Sequence, residues 1–118
     1  MMQTTTDEYS FILKPSSIHG VGVFATHPIR SGTDLRLFAR SENTRVIPSG
    51  SKYDNLFYGY YGVKRERGFA CPEDFGRMSV GWYLNHADTP NAAYRHYVFY
   101  ALCDIDEGEE ITINYRML

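Results

Sequence analysis

Apolar residues in this chain come in short runs, and turn-forming residues cut nearly every one of them. Phe11-Ile12-Leu13 has strand character and is stopped by Lys14-Pro15 and Ser16-Ser17. Gly22–Ala25 reads as a strand fed by a loop through Ile18-His19-Gly20-Val21. Arg30-Ser31-Gly32-Thr33 is a turn by composition, and Asp34–Ala39 then alternates well enough to predict a strand. Ser41–Ser51, with Pro48 and Gly50, reads as loop, and so does the charged stretch Lys64–Gly68. Tyr53–Val63 is dense in aromatics, but Gly59 and Gly62 weaken a helix there and the pattern assigns it no type. Pro72-Glu73-Asp74-Phe75 has the proline and acidic residues that start a helical turn. Tyr97–Leu102 is aromatic and β-branched and predicts a strand. After a turn over Asp104–Glu109, Glu110–Tyr115 alternates and predicts the last strand. Many short strands, glycine and proline turns and little helix define an all-β or β-rich α+β domain.

One stretch organises the rest, Gly81-Trp82-Tyr83-Leu84-Asn85-His86-Ala87-Asp88-Thr89-Pro90-Asn91. An apolar and aromatic run ends abruptly in Asn85-His86, and Pro90-Asn91 then turns the chain. Asn85 brings an amide that both donates and accepts, and His86 brings two ring nitrogens. Such a pair sits where a core meets a cleft and can read a polar ligand from a rigid base. Its plain alternative is a strand or short helix that ends in an ordinary polar turn.

Composition narrows the classes. At 118 residues the chain is one domain with a modest core. No apolar run reaches the length of a membrane span, so no membrane partner is expected. Met1–Ser10 is a polar lead-in without the basic and apolar regions of a secretory signal, which points to an intracellular chain. Cys71 and Cys103 stand alone, without a CxxC or Cys/His cluster, so no metal site is expected and reduced thiols are the simplest reading. A formal net charge of −2 excludes charge-driven nucleic-acid binding. The acidic group Asp104, Asp106, Glu107, Glu109 and Glu110 reads as a solvated turn or as a lure for a basic peptide. Ten tyrosines supply an unusual number of phenolic hydroxyls.

Three stretches stand in a fixed order: Gly20-Val21-Gly22-Val23-Phe24-Ala25, then Asn85-His86 with Pro90-Asn91, then Gly108-Glu109-Glu110-Ile111-Thr112-Ile113-Asn114-Tyr115. Together they resemble the SET domain, the protein-lysine methyltransferase family, over roughly Ile12 to Tyr115. The nearest likeness is to the small free-standing SET proteins of viruses and bacteria. The resemblance implies a single SET domain over residues 1–118, built as a β-clip of short curved sheets. Its last segment would cross the Asn-His segment in a pseudoknot-like way. It implies S-adenosylmethionine as cofactor, leaving as S-adenosylhomocysteine, and a lysine of a basic, histone-like or other protein as substrate. Carried over, main-chain groups of His19, Gly20, Val21 and Gly22 would meet the methionine portion of the cofactor. Asn85 and His86 would hold its amino and adenine groups. Tyr115 would touch cofactor and substrate with its hydroxyl beside the methyl transfer, and Tyr94, three residues after Asn91, would face the lysine channel and limit the number of methyls added.

The sequence departs from that family in three places. It stops at Leu118, where most members continue with a tail over the adenine. Cover from a second copy in a homodimer, with Tyr53–Tyr61 as the lending surface, or an open, weakly binding site would follow. Ile113 and Asn114 stand where many members have an aromatic and an aspartate. A second active-site tyrosine has no single match; Tyr58, Tyr60 and Tyr83 are the candidates. These departures keep a rival reading in play, a SET-like binding or dimerisation module that retains the cofactor site.

Overall fold

The computed structural model describes residues 10–39, 44–48, 63–65, 68–72 and 78–118. It is mostly β, as the short runs predict. Ten strands are described: β1 (Phe11–Pro15), β2 (Val21–Ala25), β3 (Asp34–Leu35), β4 (Thr44–Pro48), β5 (Val63–Arg65), β6 (Gly68–Pro72), β7 (Asn85–His86), β8 (Ala92–Arg95), β9 (Val98–Ala101) and β10 (Glu110–Ile113). They form three small sheets, ordered β1-β2-β10-β7, β3-β9-β8 and β4-β6-β5. The readings for the lead-in Met1–Tyr9, for Tyr53–Tyr61 and for a helical turn over Glu73–Phe75 lie outside the described residues.

The first sheet positions the site. β10 pairs antiparallel with β2, Ile111 opposite Val23, and parallel with β7, Thr112 opposite Asn85 and Ile113 opposite His86. A parallel pair needs a long connection, and here the chain from β7 to β10 runs through the whole β8–β9 hairpin before it returns. A strand flanked on both edges sits deep in the sheet. Val23 and Ile111 are wholly buried, and Thr112 and Ile113 are nearly so. The alternation over Glu110–Tyr115 is therefore real in sequence but not in burial. Thr112 is buried because Asn91 covers it, its Oδ1 accepting from Thr112 N at 2.8 Å. The core gathers Val23, Ile29, Leu35, Leu37, Leu84, Ile105, Ile111 and Ile113, with Phe11, Val80 and Tyr83 packed against it.

Other expectations need correction. The predicted strand over Asp34–Ala39 stops at Leu35. There Leu37 N donates back to Leu35 O at 3.0 Å, a three-residue turn that lets both leucines enter the core. Part of the predicted loop Ser41–Ser51 is β4, and Val63–Arg65 is β5. Both are recruited by β6, which pairs with each of them and ends at Pro72, where a helix start was expected. The last strand ends at Ile113, and a 3₁₀ turn follows over Tyr115–Met117, its first turn capped by Asn114 Oδ1 accepting from Arg116 N. β8 and β9 meet at His96-Tyr97, both with positive φ, 52° and 66°, which makes a two-residue hairpin turn without glycine.

Candidate active site

The Gly-x-Gly loop meets the Asn-His segment where β2, β10 and β7 lie side by side. Each glycine is needed for its own reason. Gly20 has φ +49°, a left-handed conformation that side chains resist. Gly22 is a matter of space. A Cβ there would lie 2.2 Å from Glu110 Oε2 and 3.1 Å from Asn85 Nδ2.

Asn85 is buried, and its amide nitrogen faces three acceptors. Nδ2 lies 3.0 Å from His19 O, 3.2 Å from Val21 O and 2.8 Å from Glu110 Oε2. Two hydrogens serve three oxygens, so at least one is shared. Asn85 thus ties the loop to the sheet, and this contact pattern fixes which end of the amide is nitrogen. Among the described residues nothing donates to its Oδ1. On the loop side, Ser16 Oγ donates to Glu110 Oε1 at 2.7 Å and accepts from Ile18 N at 2.9 Å.

His86 and Tyr115 meet through the parallel pairing. Tyr115 N donates to His86 Nδ1 at 3.1 Å, and the two rings lie 5.2 Å apart. That acceptor role places the proton of the neutral ring on Nε2, which reaches Asp88 Oδ1 at 2.8 Å. Asp88 is fully exposed, and its carboxyl is held below the usual carboxylate range. The hydrogen bond from His86 is the main cause, followed by the positive charge of His86 when protonated and that of Arg116. The Tyr115 hydroxyl donates to the main-chain oxygen of Leu84, the residue just before Asn85. With its proton so committed, the oxygen lone pairs remain to accept. Burial raises the pKa of this phenol, and the negative charge of Glu110 adds to the rise, so the group is neutral at physiological pH.

The structure brings His19, Gly20, Val21, Gly22, Asn85, His86 and Tyr115 into one neighbourhood. Tyr94 is placed in a different sheet, on β8, half exposed with its ring 4.9 Å from Phe99. Tyr83, a candidate second tyrosine, sits on a 3₁₀ turn over Val80–Tyr83 with its hydroxyl 3.8 Å from Met78 Sδ; Tyr58 and Tyr60 lie outside the described residues. Sequence reading missed Glu110 and Ser16 as site residues. Glu110 stood in the recognised Gly-Glu-Glu motif, which was its signal; Ser16 had none. A cleft of about 670 Å³ opens elsewhere, lined by Phe11, Ile29, Arg30, Leu35 and Arg36, and no motif residue borders it.

The rim of the site is rich in acceptors: the carbonyls of His19 and Val21, Asn85 Oδ1, the Glu110 carboxylate and the Tyr115 oxygen. Such a set fits a ligand that carries positive charge and N–H donors, as the ammonium and sulfonium of S-adenosylmethionine do.

The arrangement of small sheets around a parallel crossing is a known fold. The crystal structure of a Plasmodium falciparum putative histone methyltransferase shares it, with a TM-score of 0.61 at 22% identity over 92% of this chain and 94% of that one. The family model for the SET domain matches residues 20–116, and the chain belongs to the SET-domain family. Protein-lysine methylation is the general activity of that family. No curated protein matches the sequence. No described helix is long and apolar enough to cross a membrane.

Proposed function

We propose that this chain is a protein-lysine N-methyltransferase that uses S-adenosylmethionine and modifies a lysine of a basic protein, histone-like or other. The observation that carries the reading is the parallel pairing of β7 with β10, which sets the Tyr115 hydroxyl on Leu84 O, beside Asn85 and His86. Bound S-adenosylmethionine supplies a methyl group on a sulfonium and leaves as S-adenosylhomocysteine.

The chain's own part is to bind, desolvate and align. The His19 and Val21 carbonyls and Asn85 Oδ1 accept from the ligand's ammonium. The main chain at Gly20 and Gly22 allows close approach, and His86 shapes the adenine side. A lysine attacks only as the neutral amine, and its ordinary pKa is about 10.4. Partial burial and a neighbouring positive charge both lower that value. The Tyr115 oxygen, its own proton held by Leu84 O, accepts an N–H of the amine and turns the nitrogen lone pair toward the methyl. Alignment of this kind removes much of a barrier without any charged catalytic group. Tyr94 remains the proposed wall of the lysine channel.

The test is incubation with methyl-labelled cofactor and a panel of basic proteins, followed by mass spectrometry. Label on lysine is expected, and Tyr94→Phe is expected to shift the product toward more methyls per lysine. Cofactor binding with no label on any lysine would favour the second reading, a SET-like docking or dimerisation module.

A further inference from the structure

Glu110 has no part in the mechanism above, yet the fold makes room for it with care. Its carboxylate is partly buried where β2, β10 and β7 meet. Oε1 accepts from Ser16 Oγ at 2.7 Å and Oε2 from Asn85 Nδ2 at 2.8 Å. Gly22 opens the space, since a Cβ there would collide with Oε2. Both donors are neutral. Among the described residues no lysine, arginine or histidine forms an ion pair with this carboxylate. A carboxylate taken partly out of water with hydrogen bonds but no countercharge is costly. Its field also reaches Tyr115, where it helps keep the phenol protonated.

We propose that Glu110 is the fixed countercharge of the site, awaiting a cation that arrives with the ligand, and that it makes the site prefer a sulfonium to a neutral thioether. This rests on the methyl-transfer reading and deepens it. S-adenosylmethionine and S-adenosylhomocysteine share their ammonium, carboxylate and adenosine. They differ by one methyl and the charge on sulfur. In the transfer the nitrogen–carbon bond forms as the carbon–sulfur bond breaks, the sulfur takes the bonding pair and becomes neutral, and the amine's proton passes to solvent. The attraction to Glu110 is then lost from the product alone, which eases its exchange for fresh cofactor. Glu110 touches no reacting atom on this account; it selects, and through Asn85 it positions.

Calorimetric titration of both ligands into wild type and Glu110→Gln tests this. Wild type is expected to bind S-adenosylmethionine more tightly than S-adenosylhomocysteine, and the variant to lose that preference by about tenfold. An equal loss for both ligands makes Glu110 merely structural and overturns the proposal, and so does unchanged binding of both. A second measurement needs no variant. An analogue with an ammonium in place of the sulfonium is expected to bind wild type more tightly than S-adenosylhomocysteine, and equal or weaker binding overturns the proposal. Wild type that binds none of the three ligands overturns the methyl-transfer reading itself, and this inference with it.

Discussion

Tyr115 gathers three contacts on one residue: a hydroxyl on Leu84 O, a main-chain N–H on His86, and a ring against the imidazole. Only the first is lost in Tyr115→Phe. The variant is therefore expected to fold and to bind cofactor nearly as wild type, while kcat falls sharply, the pattern of a group that acts in the transition state. Steady-state kinetics beside calorimetry separates the two; full activity in the variant would remove the hydroxyl from the reaction. The raised phenol pKa carries a sign. The stability this group contributes is fully present below the ordinary phenol value of about 10 and is lost as pH climbs through the raised value. Ionisation of Tyr115 should thus leave the pH–rate profile untouched up to about 10, and an alkaline loss well below that in wild type but not in Tyr115→Phe would contradict it. At this scale the sequence was readable where chemistry lies in contiguous letters. Gly20, Gly22, Asn85, His86 and Tyr115 were singled out that way, and the fold brings them together. Glu110 stood in the recognised Gly-Glu-Glu motif yet was given no role, because a glutamate at the start of an alternating strand looks like any solvent-facing charge. The missing side chain of Gly22, 88 positions earlier in the chain but adjacent in space, and the donors on Ser16 and Asn85 reveal what it faces.

The β8–β9 hairpin shows an element built against local preference. His96 and Tyr97 both hold positive φ, where Asn-Gly would sit without strain, and Tyr97 is 93% exposed, so no burial offsets the cost. Replacing the pair by His96→Asn with Tyr97→Gly is expected to stabilise the protein by roughly 1 kcal/mol. Thermal or urea unfolding measures it, and a destabilised double variant would show that the turn residues make contacts their exposure hides. Strands with β-branched or aromatic runs, such as β2 and β9, were legible because their own residues specify them. β4 and β5 were not. Pro48 and the charges around Lys64 argue locally for loop, and it is the register with β6 that makes them strands. The reading of Asp34–Ala39 erred the other way, since alternation cannot announce the turn at Leu37 that breaks the strand.

At the scale of the whole molecule, core and site share one strand. Ile111 is wholly buried opposite Val23, one residue from Glu110 and one from Thr112, which pairs with Asn85. Ile111→Ala is expected to cost about 2–5 kcal/mol, a large share of the stability of a domain this size. Because the strand serves both, unfolding followed by tryptophan fluorescence and cofactor binding should be lost in one transition; two separated transitions would show that the site outlives the core. The order β1-β2-β10-β7 could not be read from local pattern, which says that strands exist and not which of them touch; the crossing was expected only through the family likeness. That order has a consequence for how the protein is made. A ribosome releases β2 and β7 before β10, yet β10 belongs between them. Until Glu110–Ile113 emerges, both neighbours carry a bare hydrogen-bonding edge, the kind of surface that pairs with the wrong strand. Synthesis of the stretch from Ala87 to Ile113 takes roughly 1–5 s at about 5–20 residues per second. For that interval the nascent chain has most of its core letters but lacks its central strand, so the sheet that joins β2 to β7 can close only after Glu110–Ile113 has been made.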